Sequence, residues 1–231
     1  MGLILPDRLA FVLITSFPTS PWQANCYLIA TKSGAECVIV DPGLEAADPI
    51  DQVLAEHSLT PVAMIGTHGH IDHIGDAHRV ADRHGIPLYL HPGDRELLRH
   101  PARGLGEAFA PQLIAMLGSA ELPEPARVID LVDGEPCTLA DITFTPLHAP
   151  GHRPGCVVVT FDHPDGPAAF TGDVVFAGSI GRTDLPGGSM EQMQATLRDV
   201  VRPLDPATTL LPGHGPLTTL ADELQTNPYL R

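Results

Sequence analysis

The sequence predicts an α/β (α+β) chain of stacked sheets covered by helices, and three observations predict it. Short segments rich in Val, Ile, Leu and Phe recur along the chain, each bounded by Gly, Pro or Asp, as strands are. Segments with helical spacing are interleaved with them rather than gathered at one end. Hydrophobic residues make up 43% of the 231 residues, enough for a large core.

Taken in order, the strand candidates are Ala10–Thr15, Asn25–Ala30, Glu36–Val40 and Val62–Gly66. Pro87–Leu90, Val128–Leu131, Ile142–Leu147, Cys156–Phe161, Ala168–Thr171 and Thr208–Leu211 follow. Pro49–His57 has a helical pattern, as does Asp72–His84, with Gly85 placed to stop it. Leu105–Leu117 is a further helical segment. Met190–Arg202 begins at Ser189 with Gln192 three residues on, a capping-box pattern. Met190, Met193, Leu197 and Val200 then recur at helical spacing and read as a core stripe. There is no internal repeat, and Pro123–Pro125 is too slight a boundary to divide the chain. Residues 1–231 are therefore read as one domain.

Charge and composition exclude several functions. The net charge of -15 argues against a nucleic-acid partner, since phosphate binding needs a basic face. Lys32 is the only lysine, which removes a P-loop, and no G-x-G-x-x-G occurs. No apolar run approaches the ~20 residues of a membrane span. Leu9 to Phe17 is apolar enough for a signal-peptide core, but one basic residue precedes it and no small-x-small site follows. A strand is the better reading. Cys26, Cys37, Cys137 and Cys156 lie far apart and read as reduced, mostly buried thiols, which places the protein in the cytoplasm.

The strongest chemical signal is Thr67-His68-Gly69-His70-Ile71-Asp72-His73, which follows a strand and precedes a helix. His68 and His70 are two apart and share a side of extended chain; Asp72 and His73 begin the helix. A solvated polar turn is the bland reading. Four ligand-type side chains on one tight loop instead favour a metal site. Three later positions complete a set for two metals. His152 (Pro150-Gly151-His152), Asp173 (Thr171-Gly172-Asp173) and His214 (Pro212-Gly213-His214) each end a short apolar strand beside a glycine. Alone, each would be an ordinary loop residue. His57, His78, His84, His91, His100 and His163 read as surface or helix-end residues, and His148 as a neighbour of the site at most.

These segments together resemble the metallo-β-lactamase superfamily. Within it, the chain is most similar to the short bacterial members of the glyoxalase II (hydroxyacylglutathione hydrolase) group. The resemblance runs from Asn25, through Val40-Asp41-Pro42-Gly43 and Gly178–Asp184, to Pro212–Thr219 and Asn227-Pro228-Tyr229-Leu230. It implies a four-layer αββα sandwich with metals at the edge between the sheets. It implies that His68, His70 and His152 hold one divalent metal, that Asp72, His73 and His214 hold a second, and that Asp173 bridges them. Zinc is typical of the group, with iron and manganese also seen.

Two departures bear on the substrate. The full-length thioesterases end in helices that bind glutathione, whereas this chain stops soon after His214, so that pocket is expected to be missing or built differently. The family often reads P-G-H-T-x-G-[HS], and here Pro150-Gly-His-Arg-Pro-Gly-Cys156 stands instead. Cys156 is shared with the related persulfide dioxygenases, which use a single iron.

Two metals can share a hydroxide and polarise a carbonyl at once. A thiol, with a pKa of about 8.5, leaves readily as its thiolate, whereas an amide or lactam nitrogen would need a proton, from Asp72 or from a metal-bound water. Asp72 and Asp173 are thus the candidate catalytic residues. The expected function is hydrolysis of a small-molecule thioester such as S-lactoylglutathione. The alternatives are a mononuclear-iron persulfide dioxygenase and a metallo-hydrolase of another ester or lactam. A closed structural metal site is disfavoured by the lack of cysteine ligands. Arg182 and Arg153 are the candidates to bind a substrate carboxylate; for Arg182, pairing with Asp184 to hold the loop is an equal reading. Trp22 and Tyr27 are placed to line the cleft.

Overall fold

The computed structural model describes residues 12–231. Its first sheet contains β1 (Leu13–Thr19), β2 (Ala24–Ala30), β3 (Glu36–Val40), β4 (Thr60–Ile65), β5 (Leu88–Leu90) and β6 (Val128–Asp130), side by side in that order. The second contains β7 (Cys137–Leu139), β8 (Ile142–His148), β9 (Val157–His163) and β10 (Gly166–Gly172). A two-stranded ribbon of β11 (Val175–Phe176) and β12 (Ser179–Ile180) then leaves it, and β13 (Thr209–Pro212) and β14 (Thr218–Thr219) complete it in the order β14-β13-β10-β9-β8-β7. The helices are α1 (Ala47–His57), α2 (Ile71–Ile74), α3 (Ala77–His84), α4 (Glu96–Arg99), α5 (Ala110–Leu117), α6 (Met190–Thr196) and α7 (Leu220–Thr226).

Side-chain alternation turns these elements into four layers. In β2, Cys26, Leu28 and Ala30 point to one face and Tyr27 and Ile29 to the other, as the two-residue strand period requires. The first set packs under Ile50 and Leu54 of α1 and Val80 of α3. The second meets Phe144, Val159, Phe161 and Phe170 of the opposite sheet, forming the central core. Val158, Ala169 and Leu210 on the outer face of that sheet pack under Met193, Leu197 and Leu220. Both sheets are thus buried on both faces, which is why their strands read as nearly continuous apolar runs. The layers are helix, sheet, sheet, helix, the αββα sandwich expected.

The expected strands from Asn25 onward all form, within two residues at each end. The first falls partly outside the described residues; β1 begins at Leu13 and runs through Phe17 to Thr19. The short strands β7, β11, β12 and β14 carried no sequence signal. The helix expected over Asp72–His84 is two helices, broken at Gly75-Asp76. There the Asp76 N–H donates to the Pro42 carbonyl (3.1 Å), and its carboxylate accepts from the Ala47 N–H (3.0 Å) at the start of α1. Gly85 ends α3 in the left-handed conformation (φ 67°), as expected. Helix α5 starts only at Ala110, because Gly106 makes a left-handed turn (φ 74°) before it. Ser189 caps α6 by accepting from the Gln192 N–H (3.2 Å). Beyond it, Leu197–Val201 widens into a π-helical turn that shifts the stripe. Val201 is therefore buried and Val200 only partly so, contrary to the expected register; Met190, in the first turn of α6, is exposed.

Candidate metal centre

The loops that follow β4, β8, β10 and β13 all open at one edge of the sandwich, and each delivers what its sequence offered. His68, His70 and Asp72 with His73 come from the turn after β4, His152 from that after β8, Asp173 from the end of β10, and His214 from that after β13. The ligand atoms fall into three overlapping groups, each within 4.8 Å: His68–His70–His152, His68–His73–Asp173, and Asp72–His73–His214. The Nδ1 of His70 lies 3.1 Å from His68 Nε2 and 2.8 Å from His152 Nε2. The Nε2 of His214 lies 3.4 Å from an Asp72 oxygen. Asp173 stands between the groups, with Oδ2 3.5 Å from His152 Nε2 and Oδ1 3.4 Å from His73 Nε2. All seven sequence-predicted ligand positions are brought together.

Hydrogen bonds on the outer nitrogens fix which way the ring lone pairs face. A carbonyl can only accept, so His152 donates from Nδ1 to the Arg182 carbonyl (2.7 Å) and His70 from Nε2 to the Gly104 carbonyl (3.2 Å). His73 Nδ1 donates to the Asp41 carboxylate (2.9 Å). Thr67 Oγ1 donates its one proton to Asp41 (2.8 Å) and therefore accepts from His68 Nδ1 (3.2 Å). The rings of His68, His70 and His152 consequently aim bare nitrogens at one another, and His73 turns Nε2 toward the Asp72 and Asp173 carboxylates, an arrangement that suits cations bound between them. The same conclusion comes from satisfaction: His73 Nε2 and Asp173 Oδ1 are buried polar atoms with no hydrogen-bond partner.

The electrostatics agree. Burial, with the neighbouring His73 and His152 rings, pushes His68 well below the usual imidazole range; burial and His152 do the same to His70. Both are thus neutral, the ligating form. Burial opposes charge on His73 as well, but Asp173, Asp72 and Asp41 outweigh it and raise that ring to about 10. Three carboxylates around one ring call for positive charge at that point. The histidine and aspartate cluster therefore suits a dinuclear metal site.

Several residues that hold the centre carried no ligand signal in the sequence. Asp41 lies at the end of β3 in the left-handed conformation (φ 54°), which turns its carboxylate toward both Thr67 and His73. The Pro212–Gly215 turn that presents His214 is clamped by β2: Asn25 donates to the Pro212 and Gly215 carbonyls, and the Tyr27 hydroxyl to Pro212 (2.7 Å). Gly213 is required there, because a Cβ would collide with Asp173 Oδ1 and come within 2.7 Å of His73 Cε1. Only Asn25 and the Asp41 segment, through the resemblance, pointed this way.

The centre opens into a cleft of about 310 Å³, lined beside the ligands by Trp22, Ile71, Leu105, Phe176, Arg182 and Leu185. Trp22 lines it as expected; Tyr27 is buried under the Pro212 turn instead. Arg182 is at the mouth, its guanidinium paired in two places with Asp184 (2.7 and 2.9 Å). Arg153 does not line the cleft, contrary to expectation. It is buried against Asp94 and the Pro186 carbonyl, since a desolvated guanidinium takes the buried carboxylate beside it. Cys156 is packed in the outer core, where burial raises its thiol well above the usual range. His148 stacks on His91 (ring centroids 4.2 Å apart) and takes no part in the centre.

The metallo-beta-lactamase superfamily matches residues 19–214, and the chain belongs to it. An uncharacterized protein of Mycobacterium tuberculosis is 41% identical, covering 95% of this chain and 98% of its own. The hydroxyacylglutathione hydrolase GloC of Haemophilus influenzae is 33% identical over 94% of this chain and 97% of its own. Among solved structures, the BLEG-1 B3 metallo-beta-lactamase superposes with a TM-score of 0.80 at 34% identity, covering 94% of this chain and 99% of that one. The protein TTHA1623, in a di-iron-bound form, gives 0.76 at 35% identity, covering 94% and 100%.

Proposed function

We propose that the protein is a dinuclear metal-dependent hydrolase acting on acyl thioesters, with hydroxyacyl thioesters such as S-lactoylglutathione as its substrate class. The observation that carries this reading is the pairing of two ligand groups through Asp173 at the floor of an open cleft. His68, His70 and His152 would hold one cation, Asp72, His73 and His214 the other, and Asp173 both. Two divalent cations so held, zinc or iron or manganese, supply carbonyl polarisation and a nucleophilic water at neutral pH.

The residues of the cleft favour a leaving group that departs unaided. Apart from the ligands and Arg182, the described side chains lining it are apolar, so none of them is a separate acid ready to protonate a departing nitrogen. A thiolate needs none. That consideration favours a thioester over a lactam, despite the likeness to a protein named as a β-lactamase, and the name of the Haemophilus influenzae relative supports it. A mononuclear dioxygenase would leave Asp72, His73 and His214 without a task. Among the described residues Arg182, at the mouth, is the cationic side chain of the cleft, and it suits a substrate carboxylate. We also assign the protein to the cytoplasm, a reading supported by four cysteines that are all free thiols.

The test is metal analysis of protein purified without added metal, paired with hydrolysis of S-lactoylglutathione. Close to two metals per chain with thioesterase activity is the expected result, and His214→Ala should retain one. Two metals without thioester hydrolysis would return the substrate to the lactam and ester classes. One iron per chain with oxygen uptake on a thiol persulfide would overturn the hydrolase.

A further inference from the structure

Beside the metal cleft lies a groove of about 240 Å³ walled by Trp22, Leu105, Phe109, Leu113, Met116 and Leu185. The two are continuous, because Trp22, Leu105, Arg182 and Leu185 border both. Helix α5 buries Leu113 and leaves Met116 and the preceding Phe109 exposed at 48% and 51%; Trp22, after β1, is exposed at 41%. Three large apolar side chains gathered in water next to a hydrolytic centre mark a place for an apolar ligand. The polar side chains of the groove are Gln112 and Arg182, and Arg182 stands where groove and cleft meet, paired through Nε and Nη2 with Asp184. Beyond that junction the described lining offers a charged substrate arm no cationic side chain.

A thioester has two arms. The carrier thiols of soluble metabolism end in charged or amide groups, so the acyl arm is the one that can be hydrocarbon. We propose that this groove binds the acyl arm of the substrate, and that the arm is apolar: an aryl or extended alkyl group on the hydroxyacyl carbon, in place of the methyl of lactate. The inference rests on the thioesterase reading and adds the determinant of acyl specificity.

S-mandeloylglutathione and S-lactoylglutathione share carrier and hydroxyl and differ only as phenyl from methyl. With metal-loaded protein, kcat/KM should favour the mandeloyl ester by about tenfold or more. In Phe109→Ala and in Met116→Ala that ratio should fall toward one; both side chains are half exposed, so the fold should survive, as circular dichroism would check. Equal kcat/KM for the two esters, or a ratio that neither variant moves, overturns the groove as an acyl site.

A second readout needs no turnover. Trp22 is the only tryptophan, so its emission reports the groove directly. Mandelate should shift it saturably, lactate at the same concentrations should not, and Phe109→Ala should weaken the mandelate effect. That shift without hydrolysis of either ester would sink the thioesterase and leave the apolar groove standing. Hydrolysis of both esters at one rate with no shift would do the reverse. Neither hydrolysis nor shift would overturn both.

Discussion

Asp94 and Arg153 form a buried ion pair that ties together the two loops carrying His68, His70 and His152. Arg153 Nη2 lies 3.0 Å from Asp94 Oδ1, with side chains 4% and 0% exposed. The other Asp94 oxygen accepts the N–H of Gly69 (2.9 Å), the residue between His68 and His70, and Oδ1 also accepts that of Gly155 (3.2 Å). Replacing Asp94 by Ala removes the partner of a buried guanidinium and leaves two N–H groups without an acceptor. Such losses cost about 3–5 kcal/mol. Urea unfolding of Asp94→Ala should show that drop, and an unchanged midpoint would contradict the pairing.

Asp41 orients His73 and, through Thr67, His68, without facing the cleft itself. Loss of such an outer partner typically weakens metal affinity about 10–100-fold. Asp41→Ala should therefore release metal to a competing chelator at lower chelator concentration than wild type does. Equal retention would mean that the rings are held by packing alone.

For Arg182 the backbone and the side chain do different work. Its carbonyl fixes His152, while its guanidinium sits at the mouth of the cleft. Arg182→Ala keeps the carbonyl, so metal content should stay near wild type while KM for an anionic thioester rises several-fold. Loss of metal in this variant would instead assign the side chain a structural task.

A pH dependence of stability follows from Cys37. Burial in the helix-covered core pushes its thiol from 9.0 to about 12. The folded state thus holds this proton more tightly than the unfolded chain does. The contribution is fully present below pH 9 and is lost as the pH rises toward 12. Urea midpoints measured from pH 8 to 11 should fall, and in Cys37→Ala the fall should be shallower. Parallel curves would show that other groups govern alkaline unfolding.

Much of this protein was legible in its sequence, for local reasons. Strands buried on both faces must be apolar, so Glu36–Val40 and Ile142–Leu147 announce themselves. A cap such as Ser189 acts over three residues, and His68 to His73 stand on one turn, so both are seen without knowing the fold. What lay hidden depends on contacts between distant segments. Asp76 breaks the expected helix because Pro42 and Ala47 lie against it. Arg153 is taken from the cleft by Asp94, fifty-nine positions earlier.

The sequence by itself determined the layered fold and the seven ligand-type residues, because periodicity and residue chemistry are written along the chain. Only the tertiary structure decided which nitrogens face the centre, which arginine reaches the cleft and that an apolar groove adjoins it. Hydrogen-bond partners and burial are set by where segments meet, and a linear pattern does not carry that.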